Sequence, residues 1–258
     1  MKISIIQSEL SWENKKENFS HFEKLILNYP LSTDLFILPE MFSTGFSMNA
    51  KELADSENEI ASNWLQQLAI EKKCAITGSV MVSEDGKYFN RLIWADPEQL
   101  LVYDKRHLFS YAKEDETFTS GTQKLLITYR NWKILPLICY DLRFPVWSRR
   151  TEECNYDLLL YVANWPEKRI LAWKTLLPAR AIENQSYVAG VNRIGNDGKN
   201  IYHSGDSAVY NFRGEIISTE NTHLPALETI ELNLQEQNDF RKQFAFFNDR
   251  DQFEIKIQ

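Results

Sequence analysis

The 258-residue chain has three cysteines, no cluster of basic residues and no long apolar run, and these shortages narrow what the protein can be. Three cysteines are too few, and odd in number, for a disulfide framework, which argues for a reducing compartment. The net charge of -7 is scattered along the chain, so no patch suited to nucleic acid or to an anionic membrane is visible. The N-terminal stretch is too short for a signal peptide, and nothing later approaches a membrane span. We therefore expect a cytoplasmic protein without nucleic-acid or membrane partners.

Motifs that hold metals and nucleotides are also missing from the sequence. There is no H-E-x-x-H, no C-x-x-C and no close group of histidines and carboxylates that would indicate a metal site. The segments "TSGTQK" and "RIGNDGK" contain glycine but lack the spacing of a phosphate-binding loop. We expect neither a metal ion nor a cofactor.

Apolar runs and helical patterns alternate along the whole chain, and no linker rich in glycine, serine or proline divides it. Helical patterns cover residues 12–28, 56–72, 144–153, 169–185 and 234–244. The strand-like runs are "ISII", "DLFILPE", "CAITGSVMV", "YFNRLIWA", "LLVYDK", "LLITY", "WKILPLICYD", "YDLLLYVANW", "YVAGVNR", "DSAVYNF", "GEIIST" and "LETIELNL". This order predicts one α/β domain over residues 1–258, with mixed sheets covered by helices.

Three of the strand-like runs end in a residue that carries chemistry. The run "LFILPE" ends in Glu40, "LLVYDK" ends in Lys105, and "ILPLIC" ends in Cys139. Functional residues of α/β proteins tend to lie at the carboxyl ends of buried strands. If these strands are neighbours in one sheet, the three side chains meet in one pocket. Taken singly, each also has an ordinary structural explanation, such as a solvated loop residue or a buried inert thiol.

Together the three groups suit nucleophilic attack on a carbonyl. A cysteine thiol has a pKa of about 8.5, so it needs a base or a positive field, which Glu40 and Lys105 could supply. Lys105 could also stabilise the oxyanion, and the backbone N–H of Tyr140 would be a second donor in a sharp strand-to-helix turn. A cysteine–histidine pair with His107 or His203 is the alternative, although neither histidine closes a strand-like run.

Three segments resemble the signature motifs of the nitrilase superfamily of carbon–nitrogen hydrolases: "LPEMFSTGF", "YDKRHLF" and "CYDLRFPVWSR". The later "YVANWP" and "ARAIENQSYVAGVNR" are also similar to that family, and within it the ω-amidase branch is the nearest. The resemblance implies a four-layer α-β-β-α sandwich with two mixed β-sheets, assembled as a homodimer or a higher homo-oligomer.

The resemblance also implies a role for each motif residue. Glu40 would be the general base, Lys105 would stabilise the tetrahedral intermediate, and Cys139 would be the nucleophile that forms a thioester. The family tends to have a second glutamate in the loop after the lysine. Glu114 and Glu116 are both available here, and the spacing to the following aromatic residue and glycine favours Glu114.

The ω-amidase branch implies a small amide substrate, in particular a 2-oxo-acid ω-amide such as 2-oxoglutaramate, which needs a cationic partner for its carboxylate. An N-carbamoyl hydrolase, an aliphatic amidase or a nitrilase would use the same groups with a different pocket. An acyltransferase would pass the thioester to an amine or a thiol. Candidate substrate-binding residues, by proximity to the motifs, are Phe42, Tyr111, Asn164, Trp165, Arg180 and Arg193. Arg180 could instead pair with Glu183 on a helix.

Overall fold

Two β-sheets packed face to face, with helices outside them, form the core of the protein. A computed structural model describes residues 1–56 and 59–256. The strands are β1 (Lys2–Gln7), β2 (Leu35–Ile37), β3 (Asp55–Ser56), β4 (Ala75–Glu84), β5 (Lys87–Ala95), β6 (Leu100–Asp104), β7 (Ile127–Tyr129), β8 (Trp132–Ile138), β9 (Leu158–Ala163), β10 (Tyr187–Asn192), β11 (Ile194–Asn196), β12 (Tyr202–Ser204), β13 (Ala208–Tyr210) and β14 (Ala226–Glu231). The α-helices are α1 (Lys15–Leu27), α2 (Ala50–Leu53), α3 (Glu59–Lys72), α4 (Glu114–Thr117), α5 (Pro145–Ser148), α6 (Ile170–Asn184) and α7 (Leu234–Gln243). Short 3₁₀ helices cover Ser110–Ala112, Cys139–Arg143, Glu167–Arg169 and Phe246–Asp249.

Both large sheets mix parallel and antiparallel pairs. In the described part of the chain, the first sheet has the order β14-β1-β2-β4-β5-β6, with β3 paired to β4. The second sheet has the order β13-β10-β9-β8-β7, and β11 and β12 form a separate two-stranded sheet. The pairs β1–β2, β2–β4, β8–β9 and β9–β10 are parallel, whereas the edge strands β14, β6, β7 and β13 pair antiparallel.

The alternation of side chains along β2 explains the layers. Leu35 and Ile37 point toward the second sheet and belong to the same buried cluster as Leu137 of β8. Phe36, between them, points the other way and packs in a second cluster with residues of α1 and α3. Successive strand residues face opposite sides of a sheet, so a strand that is apolar throughout is buried on both faces.

Helix α6 covers the outer face of the second sheet. Its side chains approach β10 so closely that a Cβ atom on Gly190 would lie 2.5 Å from Cδ1 of Leu177 and 2.8 Å from Cζ2 of Trp173. Only glycine permits that contact. With α1 and α3 on one side and α6 on the other, the four layers are the predicted α-β-β-α sandwich, which is confirmed.

Four of the five predicted helices are present, with ends shifted by a few residues. Residues 57 and 58, near the start of the predicted helix 56–72, lie outside the described residues. The predicted helix 144–153 is wrong: a 3₁₀ turn follows Cys139, and α5 begins at Pro145 but ends at Ser148. The backbone N–H of Arg150 donates instead to the side chain of Asn184, at 2.9 Å, and this tertiary contact draws the chain out of helical geometry.

One predicted strand does not form, and three short strands were not predicted. The run "GEIIST" makes an isolated bridge between Ile216 and Tyr210 rather than a strand. Strands β3, β11 and β12 are two or three residues long, too short for an alternating pattern to be recognised. Among the described residues, no helix is both long and apolar enough to cross a membrane.

The three strands that precede Glu40, Lys105 and Cys139 are not neighbours in one sheet. Strands β2 and β6 belong to the first sheet, with β4 and β5 between them, and β8 belongs to the second sheet. The condition under which adjacent strand ends would bring Glu40, Lys105 and Cys139 together is therefore not met. The residues meet across the interface between the two sheets instead.

Candidate active site

A narrow pocket opens where the two sheets meet, and Glu40, Lys105 and Cys139 line it. The Nζ atom of Lys105 lies 2.8 Å from Oε1 of Glu40. The Cys139 thiol lies in the same pocket, close enough to Glu40 that the carboxylate raises the pKa of the thiol. The three groups are buried, and Asn90 and Glu114 lie directly behind them. We call these five residues the floor of the pocket.

Glu40 is fixed by hydrogen bonds from both sheets. Its Oε1 accepts from Nδ2 of Asn90 at 2.8 Å, and its Oε2 accepts from the backbone N–H of Asn164 at 2.9 Å. The side-chain amide of Asn164 donates to the backbone carbonyl of Glu40. The next residue, Met41, has a positive φ of 44° and donates its N–H to Oγ of Ser79. The carboxylate therefore has one orientation, set before any substrate enters.

Lys105 follows β6 and is held at both its backbone and its side chain. Its N–H donates to the carbonyl of Asn90 at 2.9 Å, and its own carbonyl accepts from Gly121 at 2.9 Å. Its Nζ donates to both oxygens of Glu114 at 2.9 Å each, in addition to Glu40. One ammonium thus lies between two carboxylates.

Glu114, and not Glu116, is the second glutamate of the floor. Glu114 is completely buried at the start of α4, where its Oε2 accepts from the backbone N–H of Phe109 at 2.6 Å. Its Oε1 accepts from Asn90 at 3.1 Å. Glu116 lies two residues further on and pairs at the surface with Lys113. Of the two alternatives that the spacing left open, the structure places only Glu114 against Lys105.

Cys139 occupies a strained turn that presents its sulfur to the pocket. It opens the 3₁₀ turn Cys139–Arg143 with a φ of 41°, in the left-handed region that L-residues other than glycine rarely adopt. The next residue, Tyr140, also lines the pocket. Its N–H is one of the first in the turn and has no carbonyl partner within that turn. This is the geometry expected of an oxyanion donor.

Asp141 ties the turn to the loop that follows Lys105. One of its oxygens accepts from Ile138 N–H at 3.1 Å and from the Tyr103 hydroxyl at 2.7 Å. The other accepts from the backbone N–H of His107 at 3.0 Å. Asp141 is completely buried, so these bonds are not exchanged with water. It holds the two chain segments that carry the lysine and the cysteine at a fixed separation.

The environment of the floor favours a neutral thiol in the resting protein. Burial raises the pKa of Cys139 well above its ordinary value, and the nearby Glu40 carboxylate raises it further, against the opposing effect of Lys105. Burial alone would lower the pKa of Lys105, but the carboxylates of Glu114 and Glu40 outweigh it and raise that pKa. Burial raises the pKa of Glu114, and Lys105 opposes the shift. Lys105 therefore stays charged, and the thiol needs a base at the moment of attack.

The two histidines that could have replaced Glu40 are occupied elsewhere. The ring of His107 is stacked on Phe144 with 3.7 Å between centroids, and its Nδ1 lies 2.8 Å from Asp141. His203 lines the pocket, but its Nδ1 faces the carbonyl of Gly195 at 3.3 Å. Burial, followed by the charge of Arg193, lowers the pKa of His203 to about 4. Among the charged groups that act on the pKa of the Cys139 thiol, Glu40 has the largest effect.

Two of the six predicted substrate-binding residues line the pocket. Asn164 and Trp165 follow β9, directly beside Glu40, and both face the cavity. Trp165 is further held by its own N–H, which donates to Oδ1 of Asn192 at 2.7 Å.

Four predicted substrate-binding residues lie away from the cavity. Phe42 is completely buried on the outer side of the first sheet, where it contacts Phe22 and packs over Gly78. Tyr111 is 84% exposed at the surface beyond the pocket wall. These two corrections have the same physical reason: proximity in sequence to a motif does not determine the direction of a side chain.

Both arginines that were predicted to bind a carboxylate are also elsewhere. Arg180 is buried on α6, where it donates to the carbonyl of Leu142 at 2.7 Å and pairs with Glu183, as its helical spacing allowed. Arg193 is fully buried and donates to the carbonyls of Ile194 and Asn196 at 3.1 and 2.9 Å. Their guanidinium groups hold backbone segments in place.

The site includes residues that the sequence did not single out, both behind the lining of the pocket and within it. Asn90 bridges Glu40 and Glu114, and its only sequence signal is one polar residue within the apolar run "YFNRLIWA". Arg143 and Arg169 also line the cavity. Within residues 1–56 and 59–256, no group of three or more histidine, cysteine or acidic side chains is placed to hold a metal ion.

Comparison with known proteins identifies the class. The carbon-nitrogen hydrolase family model matches residues 2–241, and the chain belongs to that family. It is 41% identical over 256 residues to the omega-amidase YafV of Escherichia coli (strain K12), covering 99% of this chain and 98% of the relative. It is 33% identical over 251 residues to the 2-oxoglutaramate amidase of Bacillus subtilis (strain 168), covering 96% of each. The crystal structure of XC1258 from Xanthomonas campestris, a CN-hydrolase superfamily protein, aligns with a TM-score of 0.95 and 38% identity, over 99% of both chains. The predicted superfamily is confirmed.

Proposed function

We propose that the protein is an ω-amidase that hydrolyses the terminal amide of a small 2-oxo acid, such as 2-oxoglutaramate, to the acid and ammonia. The observation that carries the proposal is that the Glu40 carboxylate contacts the Lys105 ammonium at 2.8 Å and lines one narrow pocket together with the Cys139 thiol. The two relatives named omega-amidase and 2-oxoglutaramate amidase support this choice of substrate class.

In the first half of the reaction, Glu40 takes the proton from Cys139 as the sulfur attacks the amide carbon. The resulting oxyanion accepts hydrogen bonds from Lys105 and from the Tyr140 N–H, and one such donor is commonly worth about 10²- to 10³-fold in rate. Glu40 then gives the proton to the departing nitrogen, and ammonia leaves. The product of this half is a thioester between Cys139 and the acyl group.

In the second half, Glu40 removes a proton from a water molecule that attacks the thioester carbon. The tetrahedral intermediate is held by the same donors and collapses with return of the proton to the Cys139 sulfur, which releases the carboxylic acid. Because the raised pKa keeps the thiol neutral, proton removal and attack occur together rather than through a stored thiolate.

The hydrogen bonds of the two glutamates support different roles for them. Each oxygen of Glu114 accepts two bonds, from Lys105 and from either Asn90 or Phe109. The Oε2 atom of Glu40 accepts one bond, from Asn164, and so keeps a lone pair for the thiol. Glu40 is therefore the proposed base, and Glu114 the residue that positions Lys105.

A panel of amides tests the substrate class. Ammonia release is measured with 2-oxoglutaramate, simple aliphatic amides, nitriles and N-carbamoyl compounds, and we expect the highest kcat/KM with the 2-oxo-acid amide. A higher value for a nitrile or an N-carbamoyl compound would contradict the proposal. Hydroxylamine added to the same assay distinguishes hydrolysis from transfer, since an acyltransferase would divert most of the product to the hydroxamate.

Substitution of the nucleophile tests the mechanism. Cys139→Ala is expected to abolish ammonia release while the protein stays folded, and intact-mass measurement should detect an acyl adduct in the unmodified protein only. The matched control is Cys154→Ala, since Cys154 is also buried but lies outside the pocket. Turnover retained by Cys139→Ala would refute the assignment of the nucleophile.

We further propose that the enzyme works in the cytoplasm as a homodimer or a higher homo-oligomer. The cysteines Cys74, Cys139 and Cys154 are all free thiols, which suits a reducing compartment. Val146 on α5 and Ile182 on α6 are each 52% exposed, which suits a partly apolar surface for a second copy. Light scattering coupled to size-exclusion chromatography should give at least twice the monomer mass, and a monomer would refute the assembly.

A further inference from the structure

The side of the pocket away from the floor has three positively charged side chains. We call Arg143, Arg169 and Lys199 the outer wall, because all three line the cavity beyond the catalytic groups. In the part of the chain that the structure describes, neither Arg143 nor Arg169 forms an ion pair with a carboxylate. An arginine inside a pocket is usually paired with an acidic group of the protein or of a ligand.

Arg143 is held beside the nucleophile by an aromatic face. It is the last residue of the 3₁₀ turn that begins at Cys139, so the backbone of Arg143 is held in the same turn as the nucleophile. Its guanidinium carbon lies 4.9 Å from the centre of the Trp165 ring. Trp165 is almost completely buried and follows Asn164, which orients Glu40. The contact with the ring restricts the guanidinium group of Arg143, and the residue lines the cavity.

Arg169 is held in the same way by a different aromatic residue. Its guanidinium carbon lies 5.0 Å from the centre of the Phe109 ring, and the backbone N–H of Phe109 binds Glu114. Its backbone carbonyl accepts from Nε1 of Trp165 at 2.9 Å. Both guanidinium groups are thereby connected through rigid contacts to residues that border the floor.

The acidic group of this region is already engaged. Asp197 lines the pocket, but its Oδ1 accepts from the backbone N–H groups of Lys199 and Ile201 at 2.8 Å each. Its role is to close its own loop. The outer wall therefore has more positive than negative charge available to a ligand, and an anionic group on the substrate would restore the balance.

We propose that Arg143 and Arg169 bind the carboxylate at the end of the substrate opposite the amide, and so determine specificity for ω-amides of carboxylic acids. The proposal rests on the proposed function and adds the residues that recognise the substrate. Two planar guanidinium groups supply the paired donors that a carboxylate accepts. When the carboxylate is bound there, the amide at the other end of the molecule lies over Cys139.

Kinetics on two substrates of similar length test the assignment. The probes are 2-oxoglutaramate and pentanamide, which lacks the carboxylate, and the variants are Arg143→Gln and Arg169→Gln. Hydrogen bonds to a charged group are worth enough for each variant to lower the ratio of kcat/KM for 2-oxoglutaramate to that for pentanamide by about 10- to 100-fold. The change should appear mainly in KM, because the carboxylate is bound equally before and during the reaction.

Two further variants separate recognition from general charge effects. Lys168→Gln removes one positive charge next to Arg169, but Lys168 is exposed and does not line the cavity, so the ratio should stay as in the unsubstituted protein. Arg143→Lys keeps the charge and loses the planar fork, so its ratio should fall between those of the unsubstituted protein and Arg143→Gln. Circular dichroism and the thermal midpoint establish that each variant is folded.

The outcomes distinguish failure of the inference from failure of the proposed function. If the unsubstituted enzyme shows no preference for 2-oxoglutaramate over pentanamide, the proposed function fails and the carboxylate site fails with it. If the preference is present but a folded Arg143→Gln or Arg169→Gln variant retains it, the proposed function stands and that arginine is not part of the site. An equal loss of the ratio in Lys168→Gln would overturn the inference, since net charge alone would then explain the effect.

Discussion

The floor and the outer wall of the pocket have opposite arrangements of charge. In the floor, Lys105 contacts two carboxylates, and Asn90 donates to both of them. In the outer wall, Arg143 and Arg169 lie against aromatic rings, and neither has a carboxylate partner among residues 1–56 and 59–256. Groups that take part in bond-making must be held rigidly before the substrate arrives, because reorientation during the reaction raises the barrier. Groups that recognise the substrate can leave a charge unpaired, because the substrate supplies its partner.

The largest effect is expected from removing the base from the floor. Glu40→Gln should lower kcat by about 10⁴-fold, the upper end of what a general base contributes, because the amide cannot take the proton of the Cys139 thiol. The same substitution should have the opposite effect on simple alkylation of Cys139, because the Glu40 carboxylate raises the thiol pKa and Lys105 lowers it. We expect iodoacetamide at pH 8 to react faster with Glu40→Gln than with the unsubstituted protein.

Alkylation is followed by intact mass, with Cys139→Ala as the blank for reaction at other cysteines. The raised pKa also requires the alkylation rate of the unsubstituted protein to keep increasing with pH above 9, since the thiolate fraction is still rising there. A plateau near pH 7 would show that the thiolate is already formed at rest, and the concerted mechanism would then be wrong.

A smaller effect on turnover is expected from the second carboxylate. Glu114→Gln leaves Lys105 with one carboxylate instead of two, so its ammonium is less well fixed under the oxyanion. We expect kcat to fall about 10²-fold, as for loss of one oxyanion contact, with little change in KM. Glu116→Gln is the matched control in the same loop, and it should retain activity because Glu116 is exposed. Similar losses in both variants would argue against the special position of Glu114.

A buried histidine that lines the pocket, His203, should also limit stability at acidic pH. The pKa of His203 is lowered to about 4, by burial and then by Arg193, whereas an unfolded histidine has a pKa near 6.5. Below pH 6.5 the unfolded chain therefore binds a proton that the folded protein does not, and folding stability falls until about pH 4. Linkage gives a loss of about 2 kcal/mol between pH 7 and pH 5. Urea unfolding at both pH values should show a smaller loss in His203→Gln, and equal losses would refute this origin.

The smallest expected effect is on stability and comes from the backbone conformation of Cys139. Cys139 has a positive φ, which costs an L-residue about 1–2 kcal/mol, whereas glycine adopts it freely. Glycine also loses more entropy on folding, so the net gain is smaller. We expect Cys139→Gly to be about 0.5–1 kcal/mol more stable than Cys139→Ala, although both are inactive. The comparison of their urea midpoints measures the strain, and a less stable glycine variant would show that the turn is relaxed.

The reactive part of the floor could be predicted from the sequence, because Glu40, Lys105 and Cys139 each interrupt the end of an apolar run. The residues that hold these three in place, Asn90 and Asp141, could not be predicted. Asn90 is one polar residue within a strand, and its contact with two carboxylates depends on which face of the sheet it occupies. Asp141 follows Cys139 directly, but its bond to His107 requires that the two sheets are already packed.

The outer wall was harder to predict for the same reason. Arg180 and Arg193 were predicted to bind the substrate carboxylate because they lie near a motif in the sequence. The direction in which each arginine side chain points, however, depends on the residues packed around it. Arg180 faces the carbonyl of Leu142, and Arg193 is enclosed by its own loop. Arg143 lies within a motif segment, and Arg169 lies four residues after Trp165. Their positions in the pocket depend on contacts with the rings of Trp165 and Phe109, which the sequence does not reveal.

The location of the site between two sheets has a consequence for how the molecule is made. The contact between Lys105 and Glu114 spans nine residues, but that between Lys105 and Glu40 spans 65, and that between Glu40 and Asn164 spans 124. Contacts between distant parts of a chain form late in folding, because each closes a long loop. A newly synthesised chain would thus acquire helices and separate sheets before it acquires a base for its thiol. Ammonia release during refolding would report the moment at which the two halves of the protein join.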